Sequence, residues 1–123
     1  MIIIESTCPV GTTEKFKLEL KNLIKCDLEE LHICYCPERV IPGNILKELV
    51  FNNRVIGGLK EEDSKLAKDF YKTFCKGEIK ITEARTAELV KLTENTFRDV
   101  NIAFANELSI IADHFNVDVN ELI

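Results

Sequence analysis

MIIIESTCPVGTTEKF, residues 1–16, decides the fold. Four apolar residues open the chain as a strand. The run S-T-C-P-V-G-T-T that follows carries the Pro and Gly punctuation of a strand-to-helix turn, with Thr12 or Thr13 as the helix cap. Phe16, Leu20, Leu23 and Ile24 then recur at helical spacing, and LHICYCP, residues 31–37, reads as a second, fully apolar strand that ends before Pro37. A helix between two such strands is a crossover unit. NRVIGG predicts a third strand and GEIKI a fourth, entered from Gly77. Between them SKLAKDFYKTFC predicts a helix with Leu66, Phe70 and Phe74 on one side. This alternation predicts an α/β protein built on a parallel sheet.

After Ile81 the pattern changes. Residues 83 to about 115 keep a helical period with no Gly and no Pro, which predicts one long helix. Leu89, Leu92, Val100, Phe104, Leu108, Ile111 and Phe115 form its apolar face, and VDVNELI starts a further short helix. Within it KLTENTFR, residues 91–98, places Lys91, Asn95 and Arg98 inside about 60° of arc over roughly 10 Å of axis, as one polar stripe. On its own such a stripe reads most simply as a solvated face. The expected organisation is a sheet domain over residues 1–82 and a helical domain over residues 83–123. A helix this long exceeds what a four-stranded sheet covers, so part of its apolar surface is expected to meet another surface.

With 123 residues, 46% hydrophobic and 30% charged, the chain has the composition of a soluble globular protein. A net charge of −5 and a pI near 5.1 argue against a phosphate-backbone binder, so no nucleic-acid partner is expected. The opening MIII stops at Glu5 and no later run reaches the length of a membrane span, so a cytoplasmic protein without a membrane partner is expected. Five cysteines, Cys8, Cys26, Cys34, Cys36 and Cys75, make an odd count without any C-x-x-C. Cys34, Cys36 and His32 offer a metal-ligand set on paper. Burial of reduced thiols as small hydrophobes is the stronger reading, so no metal is assigned. No G-x-G-x-x-G occurs, and Gly57-Gly58 lacks the spacing of a pyrophosphate cradle. An α/β chain that begins with a strand of the buried type and has no glycine-rich first turn looks like the back half of a larger fold.

Three stretches then converge: ESTCPVGTTE at 5–14, CPERVIPGNILKELV at 36–50 and AELVKLTENTFRDVNIAFANEL at 87–108. Together they resemble the NAD-dependent nucleotide-sugar dehydrogenases, the UDP-glucose/GDP-mannose dehydrogenase family, over essentially the whole chain. The Pro-Glu-Arg-Val-x-Pro-Gly stretch is similar to the branch acting on UDP-N-acetyl-D-mannosamine, with the glucosamine epimer left open. Pro42 stands where the UDP-glucose branch has a carboxylate, so that role does not transfer.

The resemblance implies the second half of a Rossmann-like NAD-binding domain followed by a central dimerisation helix. It implies NAD as cofactor, a UDP-N-acetylhexosamine as substrate, and two successive oxidations from alcohol to acid that supply polysaccharide precursors. It further implies that Thr7 contacts the cofactor and the catalytic water, with Glu38 near the nicotinamide or that water. Arg39 and Val40 would touch the substrate. Lys91 would stabilise oxyanion charge or relay a proton, Asn95 would donate to the same oxygen, and Arg98 would hold the substrate. The family's thioester-forming cysteine lies in a Gly-Gly-x-Cys motif that none of the five cysteines matches, so the chain alone is expected to be inactive. The alternative is a standalone, non-catalytic module for dimerisation or nucleotide-sugar binding.

Overall fold

The computed structural model describes residues 1–24, 30–40 and 43–122, so Cys26 and Pro42 lie outside the described residues. Along the chain run β1 (Ile2–Ile4), α1 (Thr12–Ile24), β2 (Ile33–Tyr35), α2 (Ile45–Phe51), β3 (Arg54–Gly58), α3 (Glu61–Lys72), β4 (Ile79–Glu83), α4 (Ala84–His114) and α5 (Val119–Leu122). The chain divides into two compact units, Met1–Leu92 and Thr93–Ile123.

In the first unit the described strands form one sheet in the order β1-β2-β3-β4. β1 pairs with β2 and β3 with β4 in parallel, as the helix–strand alternation predicts. The β2–β3 pair is antiparallel, with Cys34 opposite Gly58 and Tyr35 opposite Gly57, which that alternation does not predict. The reason lies in the link. α2, a helix the sequence reading did not place, has only 7 residues and stays at the edge where β2 ended. Arg39 Nη1 donates to the Asn53 carbonyl at 3.1 Å, and the Glu78 N–H donates to Asn53 Oδ1 at 2.8 Å. The chain therefore re-enters the sheet from that edge, where a parallel return would need a full crossover.

β2, inside the sheet, is buried on both faces, its side chains alternating between them. Cys34 and Cys36 join Ile56, Ala67, Tyr71 and Cys75 in a core against α3. The thiols are thus packed as small hydrophobes, and burial pushes the Cys34 thiol up to about 12. His32 is taken up by Asp63, Nδ1 to Oδ1 at 2.8 Å. α3 turns Asp63, Ser64, Ala67 and Tyr71 inward, while Leu66, Phe70 and Phe74 are 42%, 49% and 39% exposed. Small residues win that face because the helix lies close: a Cβ on Gly58 would stand 2.7 Å from the Ser64 nitrogen. On the opposite face Ile33 and Tyr35 are fully buried, as are Ala87, Glu88 and Thr13. There Gly57 admits the β4–α4 junction, since a Cβ would meet the Glu83 carbonyl oxygen at 2.4 Å.

In the second unit α4 ends in a Schellman motif. Asn116 takes φ 55°, the Val117 N–H donates to Ala112 O at 2.9 Å and the Asn116 N–H to Asp113 O at 3.1 Å. Among the described residues no helix is long and apolar enough to cross a membrane.

Candidate active site

Parallel pairing of β1 and β2 brings their following turns to one sheet edge, where ligands of open α/β sheets bind. The Cys36 N–H donates to Ile4 O at 2.9 Å and the Glu38 N–H to Glu5 O at 3.2 Å, so the two turns leave the sheet joined at Glu5 and Glu38. Thr7 is exposed in the first turn; Glu38, Arg39 and Val40 are half-buried in the second. Glu38 Oε1 accepts from the backbone N–H of Arg39 at 2.6 Å and of Val40 at 2.7 Å. The carboxylate therefore fixes the turn that presents the two residues after it. From below, Tyr71 Oη donates to Glu5 Oε1 at 2.6 Å, and the buried Arg54 guanidinium lies 4.5 Å over the Tyr71 ring. Burial and the Glu5 carboxylate push the Tyr71 phenol well above its ordinary range, so it stays a donor.

Sequence reasoning missed Glu88. It is fully buried on α4 and accepts three hydrogen bonds from the start of α1: Gly11 N–H to Oε2 at 2.6 Å, Thr13 N–H to Oε1 at 2.8 Å and Thr13 hydroxyl to Oε1 at 2.6 Å. Thr13, one of the two expected caps, thus donates to a remote carboxylate instead of accepting for its own helix. Beside it the Tyr35 hydroxyl is buried without a hydrogen-bond partner among the described residues. Burial, with Cys8 and Glu88 as neighbours, pushes this phenol strongly up. Lys91, one turn beyond Glu88, is half-buried and belongs to the same unit.

Asn95 and Arg98 belong to the second unit. Arg98 Nη2 donates to Asn95 Oδ1 at 3.1 Å, which leaves the Asn95 amide nitrogen as the group's donor side.

The donor set can be tested against a dinucleotide. The N–H groups of Gly11 and Thr13 at the α1 N-terminus, the natural seat for a pyrophosphate, are already taken by a carboxylate, which repels a second anion. The exposed Ser6–Thr7 turn at the carboxyl edge, by contrast, offers hydroxyls suited to a nicotinamide riboside. These residues fit one end of NAD.

Comparison with known proteins gives the same frame. Residues 1–75 match the model of the UDP-glucose/GDP-mannose dehydrogenase family, NAD binding domain, and residues 85–123 match that family's central domain. The UDP-N-acetyl-D-mannosamine dehydrogenase of Pyrococcus horikoshii is 52% identical over 100% of this chain and 30% of its own length. That of Methanocaldococcus jannaschii is 52% identical, over 28% of its length. Among solved structures, the UDP-D-ManNAc dehydrogenase of P. horikoshii superposes with a TM-score of 0.96, and Cap5O from Staphylococcus aureus with 0.86 at 48% identity, covering 98% of this chain and 29% of that one. The chain spans about 30% of the length of such relatives. By sequence and by fold, it belongs to the UDP-glucose/GDP-mannose dehydrogenase family.

Proposed function

We propose that this chain is part of an NAD-dependent UDP-N-acetyl-D-mannosamine 6-dehydrogenase, with residues 1–82 from the cofactor domain and residues 83–123 from the central helical domain. The observation that carries the reading is the single sheet edge from which the Thr7 turn and the Glu38–Val40 turn both leave, joined by the Glu38 N–H bond to Glu5 O at 3.2 Å. Bound NAD supplies the hydride acceptor. Thr7 would hold its nicotinamide end and orient the attacking water. Arg39, its backbone held by the Glu38 carboxylate, offers a planar fork of donors to sugar or phosphate oxygens, and Val40 would touch the substrate. Glu38 is placed by this reading near the reacting water.

The Lys91 ammonium would stabilise the oxygen on the carbon being oxidised and take part in moving its proton. Asn95 would donate to the substrate through its amide nitrogen, and Arg98 would hold it. Preorganised donors of this kind are worth about 3 kcal/mol of transition-state stabilisation each. The product, a uronic acid on a nucleotide, is a building block for polysaccharides, made in the cytoplasm by a homodimer. In the second unit Phe97, Val100, Phe104 and Phe115 are 72%, 61%, 62% and 69% exposed, an apolar surface suited to a second copy.

The test compares NADH formation from UDP-N-acetyl-D-mannosamine and UDP-glucose by the full-length enzyme, and by the 123-residue chain alone. We expect catalytic efficiency to favour the N-acetylated sugar, and no NADH from the chain alone, which holds neither G-x-G-x-x-G nor Gly-Gly-x-Cys. A preference for UDP-glucose sinks the substrate assignment, and steady turnover by the isolated chain sinks the division of labour.

A further inference from the structure

Glu88 spends a fully buried carboxylate on joining two elements that are 75 and 77 residues apart in sequence. One is the end of the β1–α1 turn, where Gly11 takes φ +91° and closes the loop that carries Thr7 four residues earlier. The other is the first stretch of α4, where Lys91 follows Glu88 by three residues, hence about 4.5 Å along the axis and some 60° around it. A helix N-terminus is ordinarily capped by its own N-cap side chain, at no cost in buried charge. Here a carboxylate from a different helix is buried instead. It satisfies two backbone N–H groups and a hydroxyl at distances of 2.6–2.8 Å, typical of charge-assisted bonds. Such an arrangement fixes two segments against each other, which local capping does not.

We infer that Glu88 is a positioning residue, which sets the Thr7-bearing turn against the part of α4 that carries Lys91. The inference rests on the proposed dehydrogenase reading. It assigns Glu88 no contact with substrate or cofactor; its effect passes through Thr7 and Lys91. Misplacement of reacting groups by about 1 Å costs up to a hundredfold in rate while leaving binding contacts elsewhere in place.

The experiment is steady-state turnover of the full-length enzyme with NAD and UDP-N-acetyl-D-mannosamine, for wild type, Glu88→Gln and Thr13→Val. Glu88→Gln keeps one acceptor oxygen and turns an NH₂ toward an N–H donor, so one bond is lost and the turn is released. We expect kcat to fall about tenfold to a hundredfold with KM for the nucleotide sugar changed less than about threefold. Thr13→Val removes only the hydroxyl bond and should lower kcat about threefold, with an unchanged circular dichroism spectrum. If Glu88→Gln yields no folded enzyme, Thr13→Val decides: wild-type kcat there overturns the inference. A folded Glu88→Gln enzyme whose kcat stays within about twofold, or whose loss lies wholly in KM, overturns it as well. A wild-type enzyme that reduces no NAD with any nucleotide sugar overturns the dehydrogenase reading first, and the positioning role with it.

Discussion

Adding one methyl group at Gly57 should be among the most damaging small changes this chain can suffer. A Cβ there would stand 2.4 Å from the Glu83 carbonyl oxygen, 2.6 Å from the Glu83 carbonyl carbon and 2.7 Å from the Ala84 Cα. Each is about 1 Å short of an ordinary contact, and all three belong to backbone, so no side chain can rotate away. Gly57 itself is held on both sides, opposite Tyr35 in β2 and Thr82 in β4. Relief must come from moving the start of α4 off the sheet. Overpacking of this kind costs about 1–3 kcal/mol, and a clash with fixed backbone belongs at the upper end. For a domain of this size that corresponds to a drop in Tm of roughly 10–15 °C. Thermal unfolding followed by circular dichroism measures it, with Leu46→Ala, at a residue 82% exposed, as the control expected to shift Tm by no more than about 3 °C. A Gly57→Ala chain that melts within about 2 °C of wild type would show that α4 does not lie where the close approach puts it.

In the full-length enzyme Lys91→Ala should lower turnover by about a hundredfold or more, and Lys91→Arg should not restore it, because a planar fork does not replace a compact ammonium at one oxygen; near-normal NADH production by Lys91→Ala would refute the assigned role. The Cys34 thiol, raised by burial from 9.0 to about 12, ties stability to its protonated form. That contribution is complete below pH 9 and is lost as pH rises toward 12, so the urea midpoint should fall across this window and fall less in Cys34→Ala; an identical decline in both would disprove it. Light scattering at tens of micromolar should find the chain self-associated through the apolar residues of its second unit, and Phe104→Glu should weaken that; a helical wild-type monomer would count against the homodimer.

Element types were legible because periodicity reports them directly. Ile33–Tyr35 announces a strand buried on both faces, and the unbroken helical period after Ile81 announces α4. Strand direction was less legible. Residues 36–53 are long enough for a crossover, and nothing in their composition says that the short helix ILKELVF turns back at the same edge. The inward face of α3 was not legible for a related reason: periodicity groups Leu66, Phe70 and Phe74 on one side, but proximity of the helix to Gly58 turns Ser64 and Ala67 inward. Of the site, the polar residues themselves stood out in sequence, whereas Glu88 did not, since a carboxylate whose partners are Gly11 and Thr13 leaves no local pattern. Its one signal was its place three residues before Lys91, on the side of the helix where the polar stripe lies.

Two carboxylates near the proposed site are thus spent on the main chain, and this bears on how the chemistry is divided. Glu38 Oε1 holds the N–H groups of Arg39 and Val40, and Glu88 holds those of Gly11 and Thr13. Hydrogen bonds to a charged acceptor are worth about 1.5–3 kcal/mol each, and protonating either carboxylate would weaken two or three of them at once. A general base that must give up its own loop to accept a proton is poorly suited to fast turnover. Proton movement in the proposed reaction is better carried by Lys91 and by water oriented at Thr7, groups that hold no main-chain turn in place among the described residues. The acidic residues then serve by holding Arg39, Val40, Thr7 and Lys91 still, and for Glu88, which sets Thr7 against Lys91, removal should appear in kcat more than in KM.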